Sequence, residues 1–190
     1  MTRQSGITLV ELLITMAVAT IVGLIIVTMY ITSSRTYTDQ NRILDAQRSG
    51  RIELEAMTRV LRHAGLDPKR TAKAGVEVAE AARVHVTMDL NLDGDVADSG
   101  ERVTFRRSGN FLQKGVGASW ENLADDVSAF SLDYFGEDNL LLNPAPGTNA
   151  AELAKVRSLM VTLTIRDVKA SGGSFERTYT TSIFCRNLFR

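Results

Sequence analysis

An apolar run near the start of the chain dominates its hydropathy pattern. Residues 12–31 are twenty positions without a charge, and as a helix rising about 1.5 Å per residue they match the roughly 30 Å hydrocarbon core of a bilayer. A secretory signal peptide instead has about 7–15 apolar residues followed by a small-residue cleavage site. Here the Ala17-Val18-Ala19 triplet lies in the middle of the run. We therefore predict a membrane-spanning helix that the exported protein keeps.

The helical pattern continues beyond this span. Apolar or small residues recur every three or four positions, which is the spacing of one helical face, and charged residues occupy the positions between them. Gly65 and Pro68 then supply a stop signal. The pattern predicts one helix from about residue 7 to residue 64, with an apolar half and an amphipathic half. The second half presents Ile43, Ala46, Gly50, Leu54, Met57, Leu61 and Ala64 on its apolar face.

The remainder of the chain changes to the pattern of β-strands. Runs that alternate or are rich in β-branched residues predict strands, and a Gly- and Ser-containing spacer at 169–174 predicts an antiparallel hairpin between the last two. Segments 115–126 and 136–154 are predicted to be loops. The fold class is therefore α+β, with a long N-terminal helix packed on an antiparallel β-sheet head. The predicted strands are 83–88, 102–106, 127–135, 156–165 and 175–184.

Composition limits what this head does. Lys plus Arg equals Asp plus Glu at 22 each, so no charge excess points to nucleic acid, and we expect no direct nucleic-acid binding. The single cysteine, Cys185, excludes an intramolecular disulfide and a cysteine-based zinc site. Its apolar neighbours predict a small buried side chain. No hydrolase, P-loop or dinucleotide-binding motif occurs, and we expect the protein not to be an enzyme.

Glu11 stands at the edge of the apolar run, where a buried carboxylate needs a partner. The string GITLVELL at residues 6–13 resembles the type IV prepilin cleavage and methylation motif. The resemblance implies that a prepilin peptidase cuts between Gly6 and Ile7 and that the new Ile7 amine is methylated. It also implies that Glu11 pairs with the amine of a neighbouring subunit and sets the axial register. The alternative is an ordinary signal anchor with a glutamate at the interface.

The head carries a looser resemblance. The helix ending at residues 62–65, the aspartate-rich loop after the first predicted strand and the terminal strands together resemble a PilW-like minor pilin, or a J-type pseudopilin of type II secretion. The implied fold is pilin-like. The predicted divisions are a cleaved leader at 1–6, a transmembrane half of the helix at 7–34, an amphipathic half at 35–65 and a globular β-rich head at 66–190.

The loop that follows the first predicted strand has the spacing of a calcium loop. Oxygen-bearing side chains alternate from residue 89 to residue 95, and Gly94 stands sixth. The twelfth position is Gly100 where an EF-hand has glutamate, so this is no ordinary EF-hand. The alternative is a solvated turn in which Asp, Asn and Gly supply only turn geometry. The candidate Ca²⁺ ligands are Asp89, Asn91, Asp93, Asp95, Asp98 and Glu101.

The resemblance implies a structural role. A minor pilin is incorporated in a type IV pilus or primes its assembly; the alternatives are a pseudopilin and, with its leader retained, a signal-anchored calcium-dependent adhesin or binding module. The implied partners are the prepilin peptidase, other major and minor pilins or pseudopilins, and inner-membrane lipid before assembly. Arg3 ahead of the span suits a cytoplasmic N-terminus. We therefore expect a single-pass bacterial inner-membrane protein with a periplasmic head, later found in a filament at the cell surface.

Overall fold

The computed structural model describes residues 7–168 and 172–188, so the predicted leader and part of the predicted hairpin turn lie outside the described residues. The long helix α1 spans Leu9–Arg62 and confirms the predicted helix to within two residues at each end. Thr8 caps its N-terminus, and the Thr8 hydroxyl accepts a hydrogen bond from the Glu11 amide at 3.3 Å. The helix ends before Gly65, which has a φ of +78° that glycine adopts without strain.

The first half of α1 is apolar and exposed. It is long and apolar enough to cross a membrane, by length and composition. Its threonine hydroxyls are satisfied within the helix, because Thr15, Thr20 and Thr28 each donate to a backbone carbonyl three or four residues earlier at 2.8–2.9 Å. Such internal bonds remove the penalty of placing a hydroxyl in hydrocarbon. The polar residues of the run are therefore compatible with a lipid environment.

The head is built from two antiparallel sheets that pack against one face of the second half of α1. A four-residue helix, α2, lies at Ala150–Leu153, and a 3₁₀ turn lies at Arg186–Leu188. The five-stranded sheet has the order β1 Val76–Glu80, β2 Arg83–Thr87, β3 Arg102–Ser108, β4 Phe111–Val116 and β5 Ser119–Ala124. The three-stranded sheet has the order β6 Val127–Phe135, β7 Ser158–Val168 and β8 Ser174–Phe184.

The α+β layout with a long N-terminal helix is confirmed, and all five predicted strands are present. The prediction that residues 115–126 form loops is wrong, since β4 ends within this segment and β5 fills half of it. β5 lies at the edge of its sheet, and four of its six residues are exposed. Its sequence therefore lacks the apolar alternation that marks a half-buried strand. Segment 136–154 is irregular apart from α2, as the sequence predicts.

The core forms where the amphipathic half of α1 meets both sheets. Leu54, Met57 and Leu61 are at most 6% exposed, as the predicted helical face requires. The two sheets also meet directly, because the Tyr134 hydroxyl on β6 donates to the Glu80 carbonyl at 2.9 Å and lies 3.3 Å from the Arg83 carbonyl. Burial of Leu54, Met57 and Leu61 is the main force that holds α1 to the head.

Gly50 allows the closest approach between α1 and the three-stranded sheet. A Cβ atom at position 50 would lie 2.6 Å from Tyr179 Cε2 and 2.9 Å from Ile165 Cδ1. By contrast, Gly23 in the apolar half has no neighbouring heavy atom within 4 Å of such a Cβ. Gly50 therefore serves packing against the sheet, whereas no contact among the described residues requires glycine at position 23.

We expect Gly50→Ala to lower the free energy of unfolding by about 1 kcal/mol. Overpacking costs about 1–3 kcal/mol, which exceeds the roughly 1 kcal/mol that alanine gains over glycine in a helix. The measurement is denaturant unfolding of the full chain in detergent. Gly23→Ala is the matched control and should leave stability of the head unchanged. Equal stability of the two variants would contradict the close contact at Gly50.

Candidate functional site

The N-terminal end of α1 carries two of the predicted processing and assembly residues. Gly6 lies outside the described residues, whereas Ile7 precedes the helix and is 76% exposed. Glu11 is exposed in the first helical turn, where the positive end of the helix dipole favours a carboxylate. Within residues 7–168 and 172–188, no ion pair involves Glu11. Its charge is thus available to a group on another molecule.

An apolar surface begins at the same end. The large apolar side chains from Ile7 to Ile31 are 43–76% exposed. A continuous apolar surface of this size is incompatible with water and requires lipid or other apolar helices around it. The site at this end of the molecule is therefore an apolar helix that inserts into lipid or packs against other apolar helices. An exposed carboxylate, that of Glu11, lies in its first turn.

The aspartate-rich loop connects β2 to β3 and contains two buried carboxylates. Asp89 is 0% exposed, and its Oδ2 atom accepts a hydrogen bond from the Gly94 amide at 3.0 Å. Glu101 is 1% exposed and accepts from the Leu90 amide at 2.9 Å and from the Asp98 amide at 3.2 Å. These bonds close the loop upon itself. Glu101 joins its two ends, and Asp89 fixes the turn at its centre.

Three further carboxylates meet at the surface of the loop. Oxygens of Asp93, Asp95 and Asp98 lie within 4.8 Å of one another. The Asn91 amide donates to Asp98 Oδ2 at 2.6 Å and to Asp93 Oδ2 at 3.0 Å. Desolvation, followed by the negative charges of Asp93 and Glu101, raises the pKa of Asp98. Hydrogen bonds from the Asp95 amide and from Asn91 lower the pKa of Asp93. The structure therefore brings three of the six predicted ligands together at the surface of the loop.

Residues that the sequence does not single out hold this loop in place. Lys69 Nζ donates to the Asp93 carbonyl at 2.9 Å, and the Thr71 hydroxyl donates to the Gly94 carbonyl at 2.7 Å. Both belong to the segment after α1, which is itself ordered around the buried side chain of Asp67. Only the tertiary fold brings this segment to the loop, so its role has no signal in local sequence.

The cysteine, one histidine and the tryptophan make contacts that stabilise the fold of the head. Burial raises the pKa of the Cys185 thiol to about 12, and its Sγ donates to the Leu61 carbonyl at 3.3 Å. This confirms the predicted small buried side chain. Burial also lowers the pKa of His85, whose Nδ1 lies 2.6 Å from Thr104 Oγ1 in the neighbouring strand. The Arg106 guanidinium lies 3.5 Å above the Trp120 ring, an arrangement that stabilises strand pairing.

Comparison with known protein families finds a match for the N-terminal segment. Residues 1–27 match the family model described as the prokaryotic N-terminal methylation motif. The matched segment contains the Gly6–Ile7 junction, Glu11 and most of the apolar run. No curated protein matches the chain.

The match supports a type IV pilin-like protein, a class of structural subunits that includes pilins and pseudopilins. Together with the apolar first half of α1, it is consistent with a pilin anchored in the inner membrane. The motif implies processing by a prepilin peptidase and assembly with other pilins in general.

Proposed function

We propose that this protein is a PilW-like minor pilin, a structural subunit that is cut and N-methylated and then enters a type IV pilus or primes its assembly. The observation that carries the proposal is the exposed apolar half of α1, which begins with Glu11 at the first turn and continues into a folded head. Such a helix can be held by lipid and later by a bundle of similar helices, since both remove apolar surface from water.

Processing changes the charge at the start of this helix. Cleavage after Gly6 exposes an amine on Ile7, four residues before the exposed Glu11. In a filament, the carboxylate of one subunit pairs with the amine of its neighbour, because an unpaired charge among apolar helices is strongly disfavoured. A subunit in the wrong axial position leaves both charges unpaired. The pair therefore selects one register among many that apolar packing alone would allow.

The same N-terminal features support a J-type pseudopilin of type II secretion as the second candidate. The two candidates differ in where the protein is found and what its loss affects. A minor pilin is recovered with filaments sheared from cells, and its loss reduces piliation. A pseudopilin is required for release of secreted proteins. A signal-anchored binding module retains residues 1–6 and needs neither filament.

The first test is processing at Gly6. We expect a prepilin peptidase to remove residues 1–6 from the co-expressed wild type and to leave them on Gly6→Ala, because the motif that the chain resembles has glycine immediately before the cut. Intact mass and N-terminal peptide analysis measure both the cut and methylation of Ile7. Gly23→Ala is the matched control and should be cut like the wild type. A wild-type protein that keeps its leader would overturn the proposed function.

A further inference from the structure

One oxygen of the buried Asp89 carboxylate has no hydrogen-bond partner among the described residues. Asp89 is 0% exposed, and its Oδ1 atom contacts neither solvent nor a hydrogen-bond donor among the described residues. The other oxygen, Oδ2, accepts from the Gly94 amide, which lies between Asp93 and Asp95 in the chain. The carboxylate thus faces into the aspartate-rich loop. A buried carboxylate oxygen in this condition requires a cation or an equivalent polar partner.

The surface of the same loop provides a second reason for a cation. Asp93, Asp95 and Asp98 hold their carboxylate oxygens within 4.8 Å of one another, and like charges at this separation repel. Lys69 approaches the loop but donates to the Asp93 carbonyl rather than to a carboxylate. Within the described chain, no ion pair offsets the charges of the three carboxylates.

The donor set identifies the kind of ion. The cluster offers only oxygen atoms, which favour hard cations over the transition metals that histidine and cysteine bind. Ca²⁺ accepts six to eight oxygens in flexible geometry, whereas Mg²⁺ requires a near-octahedral set. The turn at Gly94, with a φ of +101°, brings alternate side chains to one side as calcium loops do. An irregular loop with carboxylates on separate turns suits the larger ion.

We propose that the loop of residues 89–101 binds one Ca²⁺ through the carboxylates of Asp93, Asp95 and Asp98 and the buried Oδ1 of Asp89. Asn91 and Glu101 are positioning residues, because Asn91 bridges two of the carboxylates and Glu101 accepts backbone amides from both ends of the loop. Glu101 therefore does not replace the bidentate glutamate of an EF-hand. Because three of the four carboxylates are exposed and no bidentate glutamate closes the site, we expect a dissociation constant on the order of 10⁻⁴–10⁻³ M, the range of extracellular modules.

The direct test is equilibrium dialysis of the full chain in detergent against radioactive Ca²⁺. We expect one ion per chain, and Asp93→Asn combined with Asp95→Asn should weaken binding at least about tenfold, because both side chains are exposed ligands. Glu137→Gln combined with Asp138→Asn removes the same charge from exposed positions of another loop and is the matched control. Absence of saturable binding in the wild type, or equal losses in the two double variants, would overturn the proposal.

Thermal unfolding gives an independent measurement of the same site. A ligand that binds only the folded state raises its stability, so saturating Ca²⁺ should raise the midpoint of the wild type by about 5 °C relative to EDTA. An equal concentration of Mg²⁺ should have a smaller effect. Asp89→Asn keeps an oxygen for Gly94 and should reduce the shift. If that variant does not fold, the exposed double variant still decides the question, since an undiminished shift would overturn the proposal.

Discussion

Glu11→Ala is expected to reduce the amount of this protein in sheared filaments at least about tenfold and to leave its amount in the inner membrane unchanged. In the proposed filament, the variant leaves the Ile7 amine of a neighbouring subunit without its carboxylate. Breaking a buried ion pair on one side costs about 3–5 kcal/mol, and about 1.4 kcal/mol already corresponds to a tenfold change. Immunoblots of sheared and membrane fractions measure the two populations.

Two further variants separate charge from shape in this experiment. Glu11→Gln keeps the size of the side chain and removes its charge, so it should behave like Glu11→Ala. Glu55→Ala removes an exposed acidic residue from the amphipathic half of the same helix and should assemble normally. If Glu11→Ala enters filaments as efficiently as Glu55→Ala, the proposed register mechanism is wrong even if the protein is processed as expected.

Tyr134→Ala is expected to lower the free energy of unfolding of the head by about 3–5 kcal/mol, the usual range for removal of a fully buried aromatic side chain. Tyr134 is 1% exposed and lies among the largest fully buried side chains. Its hydroxyl also connects β6 to the β1–β2 turn. Denaturant unfolding of the full chain in detergent, followed by Trp120 fluorescence, measures the loss.

Tyr134→Phe isolates the hydroxyl from the ring. We expect it to cost about 1–2 kcal/mol, because it leaves the Glu80 carbonyl without this buried donor. Tyr37 is 66% exposed on α1, so Tyr37→Ala serves as the matched control with little effect. If Tyr134→Phe were as stable as the wild type, the hydrogen bond between the two sheets would not contribute to the stability of the head.

The N-terminal half of this structure could be predicted because its signals are local. The apolar run, the glycine before Ile7 and the carboxylate at Glu11 are adjacent in sequence, and helix periodicity extends from them to the stop at Gly65. Five strands were predictable from local apolar or β-branched runs, whereas β1 and β4 were not predicted. β5 was predicted to be a loop, because it is a polar edge strand. The division of the strands between two sheets depends on contacts between distant residues, such as the bond from Tyr134 to Glu80.

The aspartate-rich loop shows a similar limit. Its spacing predicted that the acidic side chains would converge, and the structure brings Asp93, Asp95 and Asp98 together. The sequence did not distinguish exposed carboxylates from buried ones, because burial depends on how the loop packs. Asp89 and Glu101 are inside, where their oxygens bind backbone amides. Whether these residues hold Ca²⁺ stays a prediction.

The junction between α1 and the head is short and hydrogen-bonded. The Gly65 amide donates to the Thr87 carbonyl at 3.0 Å, and the Asp89 amide donates to the Leu66 carbonyl at 2.7 Å. The segment that follows α1 is thus hydrogen-bonded to β2 and to Asp89 within four residues of the end of the helix. In the proposed filament, a pull on α1 would therefore pass directly to the head through these two hydrogen bonds.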